Sequence, residues 1–175
     1  MPILLTTLLD ELGRRPRRYL ALLAVICVAM FGYGMYLQHV EGLDPCPMCI
    51  VQRYALIGVG VVAAVFALFP QRRIQMLGAL KVVVIAVFGA VTAARQSWLQ
   101  WYPPEVLTCG RDFFGMIESF PLRRVIPMVF RGTGDCSKID WTFLGLTIAN
   151  WSFLVFSGMA VLAAAILWGL FRRGS

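Results

Sequence analysis

The chain has 175 residues, of which 59% are apolar by type and only 14% are charged, and its mean hydropathy is +0.76. Soluble domains average about half apolar and about a quarter charged, so lipid is the solvent this composition suits, and the length suits one compact unit, residues 1–175. The formal net charge of +7 comes from sixteen Lys and Arg against nine acids. In a soluble protein that balance points to nucleic acid; here the basic residues flank apolar runs, so membrane orientation explains them and no nucleic-acid partner is expected.

A span needs about 20 mostly apolar residues. The first run covers residues 19–37 and carries no charge. A cleaved signal has an apolar region of about 7–15 residues and a small-residue cleavage site, whereas this run is longer and ends in Gly34-Met35-Tyr36-Leu37-Gln38. It is therefore read as a retained span. The second span covers 52–69 and the third 74–94, with one charge, Lys81. Lys81 lies eight residues past Arg73, about 12 Å along a helix. It can snorkel back to the headgroups, and a buried functional lysine is the sharper alternative. The fourth span covers 149–171.

Orientation follows from Lys and Arg in short segments. Arg14, Arg15, Arg17 and Arg18 precede span one, Arg72 and Arg73 separate spans two and three, and Arg172 and Arg173 follow span four. These segments share one side, the cytoplasm. The loop at about 38–51 has acids Glu41 and Asp44 and no Lys or Arg, so it faces outward, as does the long loop at about 95–148. The expected fold is an all-α membrane protein, a four-transmembrane-helix bundle with two outward loops.

Of five cysteines, Cys27 lies inside span one, where a thiol acts as a small hydrophobe. The other four fall in the outward loops, on the side where disulfides persist. Cys46-Pro47-Met48-Cys49 is a Cys-x-x-Cys motif, whose small ring opens readily and is often catalytic. A metal site needs more thiolate or imidazole ligands, and His39, the only histidine, does not complete one; no metal is expected. Cys49 lies where span two begins, at the positive end of the helix dipole, and Arg53 follows one turn later on the same face. Both favour the thiolate, the reactive species. Arg53 also breaks the positive-inside trend: it either snorkels to lipid phosphates or holds a thiolate or anionic cofactor. Cys109 and Cys136, flanked by Pro103-Pro104 and by Gly132 and Gly134, read as a structural bridge when taken alone and as a second redox pair beside a reactive one. Residues 120–130 between them suit a short interfacial amphipathic segment.

Two redox pairs outside a membrane suggest thiol–disulfide relay from a soluble dithiol to a two-electron acceptor in the lipid. A quinone fits, because its oxygens accept hydrogen bonds and become anionic on reduction, which Arg53 is placed to stabilise.

Gln38-His39-Val40 before Pro45-Cys46-Pro47-Met48-Cys49, then Arg53, Tyr102-Pro103, Thr108-Cys109, Gly134-Asp135-Cys136 and Trp141-Thr142-Phe143-Leu144-Gly145-Leu146 resemble the DsbB family, the inner-membrane disulfide bond formation proteins of bacteria. The resemblance runs from span one to span four. The order matters: the related vitamin K epoxide reductase type places its Cys-x-x-Cys last, on the fourth helix. The resemblance implies a multi-pass bacterial inner-membrane protein with cytoplasmic termini and periplasmic loops. It implies a quinone-dependent thiol–disulfide oxidoreductase that reoxidises a DsbA-type partner. Cys109 would be attacked by reduced DsbA, and Cys136 would be its disulfide partner and pass the exchange to Cys46. Cys49 would engage ubiquinone, or menaquinone under low oxygen, with Arg53 assisting and Gln96 near the quinone. The DsbA–DsbB–quinone route is the established one that keeps the bacterial periplasm oxidising. Two other readings compete: a scaffold with two structural disulfides, and a paralogue serving one dedicated substrate oxidase.

Overall fold

In a computed structural model the chain is described over residues 9–103 and 136–173. Four long helices carry the fold: α1 (Pro16–His39), α2 (Pro47–Leu68), α3 (Arg72–Trp101) and α4 (Ile148–Arg172). Each is long and apolar enough to cross a membrane. The shortest has 22 residues, about 33 Å at 1.5 Å per residue, against a hydrocarbon layer of about 30 Å. The protein is an all-α membrane protein with four spans.

Two helix ends differ from the apolar runs. Helix α2 begins at Pro47, ahead of the run at 52, because Pro47 presets the first helical φ and the Cys46 side chain caps the helix. Most of the Cys-x-x-Cys motif therefore belongs to the helix, not to the 38–51 loop. Helix α3 continues past 94 to Trp101. Arg95, Gln96 and Gln100 lower the hydropathy there but are good helix formers.

The helices pack as neighbours in chain order. Contacts are most extensive between α3 and α4, substantial for α1 with α2 and α2 with α3, and sparse between α1 and α4. The core is rich in small residues: Cys27, Ala55, Val59, Ala63, Val82, Ala86 and Ala163 pack around Leu20, Leu23, Phe156 and Met159. Apolar residues do not drive helices together in lipid, so close approach by small side chains carries the association. The outer faces carry exposed Val25, Val28, Val84, Val91 and Val161. Trp98, Trp101 and Tyr102 at one end and Trp168 at the other are exposed, the positions of an aromatic belt. Lys81 is exposed, with its Nζ 5.3 Å from the Phe66 ring centre.

At the basic end, arginines satisfy helix carbonyls that have no intrahelical donor. Arg17 Nε donates to Ala67 O at 2.9 Å at the end of α2. Arg72 Nε donates to Leu170 O at 2.8 Å at the end of α4. At the opposite end, β1 (Thr142–Phe143) and β2 (Leu146–Thr147) form a hairpin with Thr142 opposite Thr147. Leu144 and Gly145 make its turn with φ of 52° and 76°, as a two-residue hairpin requires. Thr147 then caps α4, accepting from Asn150 N.

Gly89 sets the α3–α4 spacing. A Cβ there would lie 2.6 Å from the Phe156 ring. Gly89→Ala is expected to destabilise the bundle by about 1–3 kcal/mol through overpacking, read as a lower midpoint in detergent unfolding; an unchanged midpoint contradicts this packing.

Candidate active site

The site forms where α2 begins. Cys46 precedes the helix with φ −79° and ψ 164°, and its Sγ accepts from Cys49 N at 3.3 Å. The Cys-x-x-Cys spacing thus becomes an N-cap and a first-turn residue, with both sulfurs at the positive end of the helix. The two Sγ atoms lie 3.0 Å apart within hydrogen-bond contact. The cysteines among the described residues are Cys27, Cys46, Cys49 and Cys136, and no two of them are joined by a disulfide. Cys27 is buried in the core, away from the other three.

Cys136 returns from the long loop to pack on Cys46. Cys46, Met48 and Cys136 form one buried cluster with Cys49 and Leu99 against it; Cys46 is 3% exposed and Cys136 1%. The structure therefore brings together three of the four loop cysteines. Cys109 lies outside the described residues, as does the 120–130 segment.

The Cys46 thiol, which precedes the span, is pushed above its ordinary value of 9.0. The hydrogen bond with Cys136 is the largest cause, followed by the one with Cys49 and by burial. Folding thus holds the proton on Cys46. The stability this carries is full below the ordinary thiol value and is lost as pH rises past it. In reduced protein, Cys46 is expected to resist iodoacetamide at pH 9, where a free cysteine reacts readily. Mass-spectrometric mapping of alkylation against pH checks this, and free-thiol rates at Cys46 contradict it.

Gln96, buried on the last turns of α3, reaches both sulfurs. Its Nε2 donates to Cys46 Sγ and to Cys49 Sγ, each at 3.3 Å. Its Oε1 accepts from Gln52 Nε2 at 2.7 Å, which fixes the amide so that the donor end faces the sulfurs. Sequence reasoning missed Gln52. The signal was there: a polar residue inside an apolar helix, three positions after Cys49 and so on the same face. Arg53 is half-buried. Its guanidinium donates to Gln38 Oε1 at 2.6 Å and to Gly34 O at 3.5 Å. It is tied to the end of α1, and it does not point out to lipid. His39 ends α1 in an exposed position and does not line the cavity described next.

Beside these groups is a cavity of about 520 Å³, lined by Cys46, Cys49, Gln52, Arg53 and Gln96. Its apolar walls include Met30 and Leu37 of α1 and Val155 and Phe156 of α4. It lies where α1 and α4 scarcely touch. Trp141 and Phe143 of the hairpin segment also line it, and Trp151 Nε1 donates to Phe143 O at 3.1 Å, holding the hairpin to α4. Volume and lining are those of a small-molecule site: mostly apolar, with a few convergent polar groups. Among the described residues no group of His, Cys, Asp and Glu is arranged to hold a metal ion.

The model of the family described as "Disulfide bond formation protein DsbB" matches residues 16–166. The chain belongs to the DsbB family. Disulfide bond formation protein B of Polaromonas sp. (strain JS666 / ATCC BAA-500) is 60% identical over 158 residues, 90% of this chain and 94% of its own length. That of Acidovorax sp. (strain JS42) is 59% identical over 160 residues, 91% and 92% of the two chains. That of Azoarcus sp. (strain BH72) is 52% identical over 163 residues, 92% and 95%. As a DsbB protein the chain is a multi-pass inner-membrane oxidoreductase of disulfide bond formation, a member of the family that reoxidises DsbA.

Proposed function

We propose that this DsbB protein acts as one integral membrane unit, a protein dithiol:quinone oxidoreductase in which four cysteines have separate roles. Cys109 takes the electrons from a reduced DsbA-type protein and Cys136 is its disulfide partner. Cys136 then attacks Cys46 Sγ of the Cys46–Cys49 disulfide, and Cys49 leaves as the thiolate. The observation that carries this reading is the position of Cys46 Sγ, in contact with Cys136 on one side and Cys49 on the other. Cys136 is too buried to meet a protein dithiol, which supports Cys109 as the point of the partner's attack. Both termini and the arginine-rich end face the cytoplasm, and the cysteines face the periplasm.

The cavity residues fit a quinone. Its head is flat and apolar with two carbonyl acceptors, and the lining supplies apolar walls together with the Arg53 guanidinium and the Gln38 amide. A quinone, ubiquinone or menaquinone, supplies a two-electron sink when bound. Arg53 would donate to one of its oxygens and balance the negative charge that develops there. Gln38 holds the guanidinium in place. Gln96 directs its N–H groups at the sulfurs and Gln52 fixes the Gln96 amide. The hairpin and α4 aromatics keep water from the thiolate.

The test is oxidation of a reduced DsbA-type protein by purified protein, with ubiquinone or menaquinone analogues added separately. Turnover is expected only with a quinone, and equal turnover without one overturns the reading. Gln96→Leu removes both N–H···S contacts and is expected to lower kcat about tenfold, the worth of roughly one charge-assisted hydrogen bond. A Gln96→Leu enzyme with unchanged kcat would remove Gln96 from the mechanism.

A further inference from the structure

A second and larger cavity, of about 920 Å³, opens at the end of the bundle opposite the cysteines. Its rim holds Arg14, Arg15, Arg17, Arg18, Arg72 and Arg173, and its lining contains no carboxylate. Structural work accounts for part of this charge. Arg17 and Arg72 donate to helix-end carbonyls, Arg173 donates to Gly13 O at 3.3 Å, and Arg15 pairs with Glu11 at 3.4 Å. Arg14 and Arg18 are exposed, and the side chain of neither makes a hydrogen bond or ion pair with any described residue. Helices α1 and α3 both begin at this cavity, and neither has a side-chain cap or an acid in its first turn. Their positive ends therefore add to the arginine charge. Below the rim the wall changes character. Ala21 and Ala24 of α1 and Ala64 and Ala67 of α2 form an apolar floor that runs toward the bilayer interior.

A cationic rim over an apolar floor, at headgroup depth, has the polarity of a lipid read from phosphate to acyl chain. We propose that this cavity binds an anionic phospholipid, with Arg14 and Arg18 on the phosphodiester and one acyl chain along the alanine seam between α1 and α2. Basic pockets between spans at the cytoplasmic face suit anionic headgroups. A free phosphate would match the rim and leave the floor unused, so the floor selects the lipid. The proposal is independent of the thiol chemistry at the other end.

The experiment is native mass spectrometry of the delipidated full-length protein, titrated with phosphatidylglycerol and with phosphatidylcholine of the same acyl chains. Phosphatidylglycerol is expected to bind at least tenfold more tightly. Arg14→Gln with Arg18→Gln is expected to weaken phosphatidylglycerol about tenfold or more and to leave phosphatidylcholine and dithiol oxidation unchanged. Arg73→Gln, at the same end and outside the cavity lining, is expected to change affinity less than twofold. Equal affinity for the two lipids overturns the proposal. So does an equal loss in Arg73→Gln, which makes the effect diffuse surface charge, or displacement of the lipid by millimolar inorganic phosphate, which makes the rim alone the site. Should the double variant fail to fold, a phosphatidylglycerol with a photoreactive headgroup decides on the wild-type protein. Adducts within residues 13–24, 64–75 and 170–173 support the site, and adducts elsewhere overturn it.

Discussion

Cys46→Ser protein is expected to keep its four helices and to lose quinone-coupled oxidation of a DsbA-type dithiol by roughly a thousandfold or more, as when one member of a covalent relay is removed. The two halves of this outcome have different causes. Cys46 caps α2 through its side chain, and serine is among the best capping residues, so the start of the helix survives the change. The chemistry does not survive it. Cys46 is the sulfur that touches both Cys136 and Cys49, and a hydroxyl cannot take part in disulfide exchange. Circular dichroism and detergent unfolding report the first half, and single-turnover oxidation with added quinone reports the second. A Cys46→Ser protein that fails to fold would favour a scaffold held by structural disulfides. One that folds and still turns over would remove Cys46 from the route.

Cys136→Ser is expected to accumulate a mixed disulfide between Cys109 and the physiological donor. With Cys136 gone, Cys109 carries no disulfide. Its thiolate attacks the disulfide of the oxidised donor, so that the Cys109–donor bond forms as one donor cysteine leaves as a thiolate, and no thiol at 136 can displace the donor again. The adduct should appear on a non-reducing gel, vanish with reductant, and be absent when Cys109 is also replaced by serine. The adduct is expected to outlast that of the wild-type protein, in which the Cys136 thiol can attack Cys109 and displace the donor. An adduct that maps to Cys46 would reverse the proposed order of the pairs. The identity of the captured protein also separates a general oxidase, which yields a broadly acting DsbA-type donor, from a paralogue that serves one dedicated donor.

The spans were legible because lipid requires a continuous apolar surface, and four such surfaces stand out in a chain with so few charges. Their ends were not. Helix α2 begins on a sulfur cap, and cysteine is not among the residues that mark helix starts. Helix α3 runs on through Arg95, Gln96 and Gln100, which interrupt hydropathy; Gln96 and Gln100 satisfy polar groups inside the protein instead. At the site, Cys46, Cys49 and Arg53 could be placed together from local spacing alone. The approach of Cys136 to Cys46 could not, since it depends on where a long loop returns; only the family resemblance supplied it. Arg53 could be read as a lipid anchor or a site residue until the α1–α2 crossing put Gln38 against it. Gln52 went unnoticed because its role is to hold Gln96, a residue on another helix.

The sparse contact between α1 and α4 has a kinetic consequence. On the proposed function, a cavity flanked by two spans that scarcely touch is supplied sideways from the bilayer, and the acceptor is encountered by diffusion in two dimensions. Its effective concentration is a mole fraction in the membrane, not a molarity in the buffer. Adding inert lipid or detergent at fixed total quinone therefore dilutes the acceptor and slows turnover, although the volume of the sample has not changed. Saturation curves for this enzyme become comparable only when quinone is expressed per molecule of lipid.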